Sequence, residues 1–151
     1  MGKSEPDASI TAGKRPYFGY GSNLDVAEMR KRCPDAELVG VARLMGWKVY
    51  MDSNGYATIA EDNGCTEGAL WLVSDANIAA LDEYEGLDRG LYEKREIEVE
   101  LNGERWNAFV YVSLRLPLTM ETFRADYLEN IKRAARDLGL SAATQDRYAQ
   151  V

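Results

Sequence analysis

The chain has 151 residues, a length that suits one domain, and its 46% hydrophobic and 28% charged residues suit a globular protein with a substantial core. A net charge of −7 argues against a general nucleic-acid binder, and no apolar run approaches the ~18 residues of a membrane span. There is no histidine, which excludes Ser-His-Asp and Cys-His catalysis and any imidazole-based metal site. Two cysteines, Cys33 and Cys65, cannot build a four-thiolate zinc site or a secreted disulfide scaffold. Chemistry must therefore rest on carboxylates, hydroxyls, phenols and backbone amides.

Residues 1–15 are polar and aperiodic, which predicts a mobile tail ahead of a single domain over 16–151. The tail lacks the apolar stretch of a signal peptide, and Pro6 stands where a myristoylation pattern wants Ser or Thr, so a cytoplasmic protein is expected. Ordered structure is expected from Arg15–Tyr20, an aromatic run halted by Gly21 that reads as a buried strand. Asp25 can cap a helix to about Arg32, with Val26, Met29 and Cys33 on one face and Pro34 just beyond. Strands are expected at Glu37–Met51, Tyr56–Glu61 and Glu67–Val73, punctuated by Gly55 and Gly64.

Ser74 or Asp75 can cap the next helix, in which Ile78, Leu81 and Tyr84 or Glu85 recur at helical spacing and which Gly86 ends. Tyr92–Leu101 alternates apolar and acidic residues, Asn102-Gly103 is a favoured two-residue hairpin turn, and Arg105–Leu114 is the return strand. Thr119 is the expected cap of a last helix reaching about Leu138, with Phe123, Tyr127, Ile131, Ala134 or Ala135, and Leu138 on one stripe and Gly139 as C-cap. Strand-rich structure with three helices and no regular βαβ alternation predicts an α+β fold, a twisted or closed sheet packed by helices.

Two segments are candidates for chemistry. In Tyr17-Phe18-Gly19-Tyr20-Gly21-Ser22-Asn23-Leu24, a strand runs through a Gly-Ser-Asn turn that exposes successive N–H groups, able to hold a carboxylate or a developing oxyanion. The pattern is neither a nucleophile elbow nor a dinucleotide loop, because glycine directly precedes Ser22 and Leu24 stands where a third Gly or Ala belongs. An ordinary strand–turn–helix connection accounts for the same spacing. In Leu81–Gly86 several carboxylates crowd a helix C-terminus, the unfavourable end of the helix dipole. A solvated acidic face is the plain explanation, but Glu85 shares the face of Ile78 and Leu81. A carboxylate there would have its pKa raised by desolvation and neighbouring charge, as a general base requires. Among nine tyrosines, Tyr92, Tyr111 and Tyr127 fall where an inward phenol is plausible; most such residues are core with a satisfied hydroxyl.

These segments, with Arg32-Cys33-Pro34, Val41-Ala42-Arg43-Leu44, Ala57-Thr58-Ile59, and Leu81-Asp82-x-x-Glu85-Gly86 followed by Gly90-x-Tyr92, resemble the γ-glutamylcyclotransferase (AIG2-like) family from Tyr17 to about Tyr148. The resemblance implies a mixed, closed or nearly closed β-barrel with helices outside. It implies an enzyme in which the α-amine of a γ-glutamyl group attacks its own γ-carbonyl, giving 5-oxoproline and a free amine or amino acid. It assigns general acid/base work to Glu85 and substrate binding to Tyr17, Phe18, Gly19, Tyr20, Gly21, Ser22 and Asn23, with Tyr92, Tyr127 and, by looser spacing, Tyr111. A small-molecule γ-glutamyl substrate, no cofactor or metal, no nucleic-acid or membrane partner, and a monomer or homodimer are expected with it. Asp52-Ser53-Asn54-Gly55 is short compared with the animal enzymes, in which that loop helps frame the leaving-group side, so the resemblance does not carry over their acceptor specificity; Asn23 argues against the glutathione-specific branch. Because the nucleophile belongs to the substrate, effective molarities on the order of 10⁵ M or more make a covalent nucleophile unnecessary. The competing expectations are a non-catalytic barrel that binds an amino-acid-like ligand or a protein partner, and hydrolysis to free glutamate.

Overall fold

The structure, a computed structural model, describes residues 13–119 and 125–149. Five strands form a closed barrel in the order β1-β3-β2-β4-β5: β1 (Arg15–Gly19), β2 (Glu37–Met51), β3 (Ala57–Val73), β4 (Tyr92–Leu101) and β5 (Glu104–Ser113). Neighbours pair antiparallel except at the closure, where β1 runs parallel to β5 through Tyr17 and Phe109. That mixed seam completes the expected α+β barrel. Its core is dense and aromatic, with Phe18, Trp71 and Phe109 fully buried beside Leu70, Ile59 and Leu81.

Of the four α-helices among the described residues, α1 (Val26–Arg32) starts at Asp25, whose carboxylate accepts the Ala27 and Glu28 amides, and buries Met29. Helix α2 (Asp75–Glu85) starts at Ser74, where Ser74 Oγ accepts the Asn77 N–H at 3.2 Å and Asn77 Oδ1 accepts the Ser74 N–H at 3.0 Å. Ser74→Ala is expected to destabilise the protein by about 1 kcal/mol, read as a lower urea midpoint at unchanged m-value. Helix α3 (Ala125–Leu138) buries Ile131, Ala134 and Ala135. It ends with Gly139 N–H on Arg136 O and Leu140 N–H on Ala135 O, the paired bonds of a Schellman stop.

Several expectations need correction. Residues 57–73 form one strand rather than two, because Glu61 pairs with Trp47 and Cys65 with Met45 across an irregularity in which residues 62–64 oppose Gly46. The chain never reverses there, and Thr66 Oγ1 pins the irregularity by donating to Trp47 O at 2.9 Å. Thr119 joins the barrel, its N–H and C=O both bonding Met51 at 2.9 and 2.8 Å, and residues 120–124, which it was expected to cap, lie outside the described residues. Phe123, expected on the stripe of α3, and residues 1–12 of the expected tail lie outside the described residues, while Arg15 already pairs with Val73 in β1. Helix α4 (Ala142–Ala149) was not anticipated, since it is short and carries no clear apolar stripe. Among the described residues no helix is long and apolar enough to cross a membrane.

Candidate active site

The barrel mouth is built where five segments meet: the turn after β1, the C-terminus of α2, the start of β3, the start of β4 and the first turns of α3. Beyond Gly19 the chain bends through Tyr20 and Gly21 into a single 3₁₀ turn, Ser22–Leu24. Leu24 N–H bonds Gly21 O and Asp25 N–H bonds Ser22 O, at 2.9 and 3.1 Å. The N–H groups of Ser22 and Asn23 precede those bonds and meet no acceptor among the described residues, as expected for the opening of a turn. Asn23 is buried and fixes the turn: it donates to Tyr17 Oη at 2.8 Å, its carbonyl accepts Trp71 Nε1 at 3.2 Å, and its side-chain oxygen accepts from Arg32. Arg32 also stacks on the Tyr84 ring at 3.7 Å.

The turn borders a cavity of about 280 Å³, ample for a small amino-acid derivative. Of the residues singled out from sequence, Glu85, Tyr17, Tyr20, Gly21, Ser22, Asn23, Tyr92, Tyr111 and Tyr127 line it together. Phe18 and Gly19 do not. Strand alternation turns Phe18 away from Tyr17 into the fully buried core, and a Cβ on Gly19 would meet Asn23 at 3.1 Å, so Asn23 covers that position.

The tyrosine hydroxyls are occupied in holding the wall. Tyr20 donates to Tyr111 O at 2.7 Å, Tyr92 to Ala57 O at 3.2 Å and Tyr111 to Asp82 at 2.6 Å, while Tyr127 accepts the Ala57 N–H at 3.0 Å. Burial, reinforced by the charge of Glu85, pushes the Tyr17 and Tyr92 phenols well above their ordinary range, so they stay neutral.

The acidic run of α2 divides by face. Glu83 is exposed, whereas Asp82 is turned inward to Lys94 at 2.9 Å and to Tyr111. Glu85 is half-buried on the cavity wall, and its carboxylate makes no hydrogen bond or ion pair among the described residues. Desolvation pushes it up to about 7, against the pull of Arg32 and Arg115. A carboxylate in that range, facing an aromatic-lined cavity, can exchange protons in both directions near neutrality.

Sequence reasoning missed Tyr56, Ala57, Tyr84, Arg89, Leu91 and Arg115 as wall residues. Arg115 follows β5 and stands over the Tyr56 and Tyr92 rings at 5.3 and 5.1 Å, with Nε 2.9 Å from Asp52. No local pattern marks it; the only available hint was an arginine inside an otherwise apolar stretch, Leu114–Leu118. Among the described residues no group of three or more Cys, Asp or Glu is placed to hold a metal ion.

A family profile described as gamma-glutamyl cyclotransferase, AIG2-like, matches residues 17–129. A gamma-glutamylcyclotransferase of Mus musculus is 36% identical over 94 residues, covering 55% of this chain and 50% of that protein. A putative gamma-glutamylcyclotransferase of Bacillus subtilis, YkqA, is 30% identical over 106 residues, covering 64% of this chain and 38% of that protein. A solved structure described as a gamma-glutamyl cyclotransferase superposes with a TM-score of 0.81 at 27% identity, over 90% of this chain and 86% of that one. The chain spans about half the length of the mammalian relatives it matches.

Proposed function

This chain belongs to the gamma-glutamyl cyclotransferase, AIG2-like family, and from that premise we propose that it converts a γ-glutamyl amine or γ-glutamyl amino acid to 5-oxoproline and the free amine. The observation that carries the reading is an unpaired Glu85 carboxyl, raised to about 7, on the wall of the cavity that also receives the Gly21–Asn23 turn. A non-catalytic barrel would not require that carboxylate and that turn to share one cavity.

In this mechanism Glu85 takes a proton from the substrate α-ammonium, and the freed amine attacks the γ-carbonyl carbon. The new C–N bond closes a five-membered ring, and the tetrahedral intermediate collapses by breaking the bond to the departing nitrogen. Two protons pass in all from the α-nitrogen to the departing one, which leaves as an ammonium, so the carboxylate is regenerated. Positioning supplies most of the acceleration, and the carboxylate contributes about 10²–10⁴-fold. The Ser22 and Asn23 amides hold either the α-carboxylate or the oxyanion; in the second role each donor is worth about 3 kcal/mol.

The test is an assay of 5-oxoproline release across a panel of γ-glutamyl compounds, with glutathione as the expected negative. Release of glutamate with solvent oxygen incorporated would identify a hydrolase instead, and no product from any compound would overturn the reading. Ser22→Pro removes one turn amide and is expected to lower kcat/KM about tenfold or more. Steady-state kinetics unchanged in that variant, with its fold verified by circular dichroism, would show that the turn does not bind substrate.

A further inference from the structure

Glu85 makes no hydrogen bond or ion pair among the described residues, so its own backbone must aim it at the substrate. That backbone is the last residue of α2, before Gly86 turns the chain at φ 69°. The start of α2 is anchored to the segment after α1, where Asn77 donates to Asp35 at 2.7 Å and Cys33 Sγ donates to Asn77 O at 3.7 Å. At the other end Arg32, the last residue of α1, lies across the ring of Tyr84, the residue before Glu85. Its guanidinium stands 3.7 Å from the ring centroid, whereas no other cation–ring contact among the described residues is closer than 5.1 Å. The edge of the same guanidinium serves the amide turn: Nη1 donates to Asn23 Oδ1 and, at 3.4 Å, to Ser22 Oγ. Tyr84 Oη and Ser22 Oγ are themselves 3.3 Å apart. Glu28 holds the remaining edge at 3.6 Å.

One planar cation therefore touches both halves of the site, the turn with its edge and the end of α2 with its face. The last turn of α2 carries no basic residue, so Arg32 also brings the positive charge that a helix C-terminus favours. Lysine is no substitute, since an ammonium has neither a flat face to stack nor a rigid fork to span two acceptors. We propose that Arg32 and Tyr84 are positioning residues, a clamp that sets the spacing between the Ser22–Asn23 amides and the Glu85 carboxylate. The proposal deepens the cyclisation reading above and rests on it. The clamp matters most as the ring closes, when proton transfer and charge stabilisation act on one small group at once. A displacement on the order of 1 Å can then cost about 10²-fold. The competing roles are a plain cavity wall for Tyr84, touching the substrate directly, and a prop for the turn alone for Arg32.

The experiment measures 5-oxoproline release from γ-glutamylglycine, γ-glutamylalanine and γ-glutamylputrescine by the full chain, Tyr84→Phe, Tyr84→Ala, Arg32→Lys and the double variant Arg32→Lys/Tyr84→Ala, with urea midpoints as the control for folding. Tyr84 is 47% exposed, so its variants are expected to fold. On the substrate that the intact chain turns over fastest, Tyr84→Phe should keep kcat within about threefold, because phenylalanine offers Arg32 the same face. Tyr84→Ala should lower kcat about tenfold or more, with KM within about twofold. Arg32→Lys should lower kcat comparably, and the double variant should be little worse than the poorer single one, since both changes remove one device. A Tyr84→Ala loss carried by KM, kcat losses that multiply in the double variant, or a Tyr84→Ala kcat equal to that of the intact chain would overturn the proposal while cyclisation stands. If Arg32→Lys does not fold, the two Tyr84 variants decide the matter alone. Absence of 5-oxoproline from all three substrates with the intact chain would overturn the cyclisation reading, and this proposal with it.

Discussion

Glu85→Gln is expected to fold, to keep substrate affinity within a few-fold and to release 5-oxoproline about 10³-fold more slowly than the parent chain. The amide preserves the shape of the side chain at the cavity wall but cannot take up the α-ammonium proton. The parent kcat/KM should rise with pH through about 7, as Glu85 loses its proton, and the variant should lose that limb. The same substitution has a stability signature of opposite sign. Desolvation raises the folded-state pKa of Glu85 from 4.5 to about 7. Between these values the folded chain holds a proton that the unfolded chain has released, so this group's contribution falls as pH rises. The loss is complete above pH 7 and amounts to about 3 kcal/mol. Glutamine does not titrate, so the variant should gain on the parent by about that amount between pH 4 and pH 8.5 in urea titrations. Normal turnover in Glu85→Gln would remove the carboxylate from the mechanism. A stability difference independent of pH would remove the desolvation argument.

Asp52→Ala is expected to destabilise the protein by about 3–5 kcal/mol. The Asp52 side chain is fully buried at the turn between β2 and β3 and gathers four donors: Ser113 Oγ at 2.8 Å, Arg115 Nε at 2.9 Å, and the amides of Asn54 and Tyr56 at 2.9 and 3.1 Å. Removing it strands a half-buried guanidinium and leaves its other donors without their acceptor. Since Arg115 and Tyr56 line the cavity, KM should rise as well. Equilibrium unfolding together with KM measured below the melting range tests both parts. A loss under 1 kcal/mol would show that the cluster contributes little to either.

Much of the local architecture is legible in short stretches of chain. The Asn102-Gly103 turn takes φ of 51° and 84°, which few residues other than Asn and Gly accept. Ser74 and Asp25 cap where their side chains can reach an orphan amide, and Gly86 and Gly139 end helices in the left-handed region. Glu85 was legible as an anomaly of the same kind, a carboxylate on the face of Ile78 and Leu81. Each of these signals is complete within a few residues, because a cap, a turn or a helical face is decided by neighbours along the chain.

What the tertiary structure alone decided involves partners distant in sequence. The parallel pairing of Tyr17 with Phe109 closes the barrel. The join across Gly64 into one strand depends on β2 lying alongside. Residues 52 and 115 meet because Ser53 N–H and Met51 pin the segment after β5 to the end of β2. Arg89 and Arg115 share one cavity, yet neither belongs to a pattern that marks it beforehand. A charge acquires its function from what neutralises it and from how much water remains, and both depend on contacts that exist only once distant segments pack together.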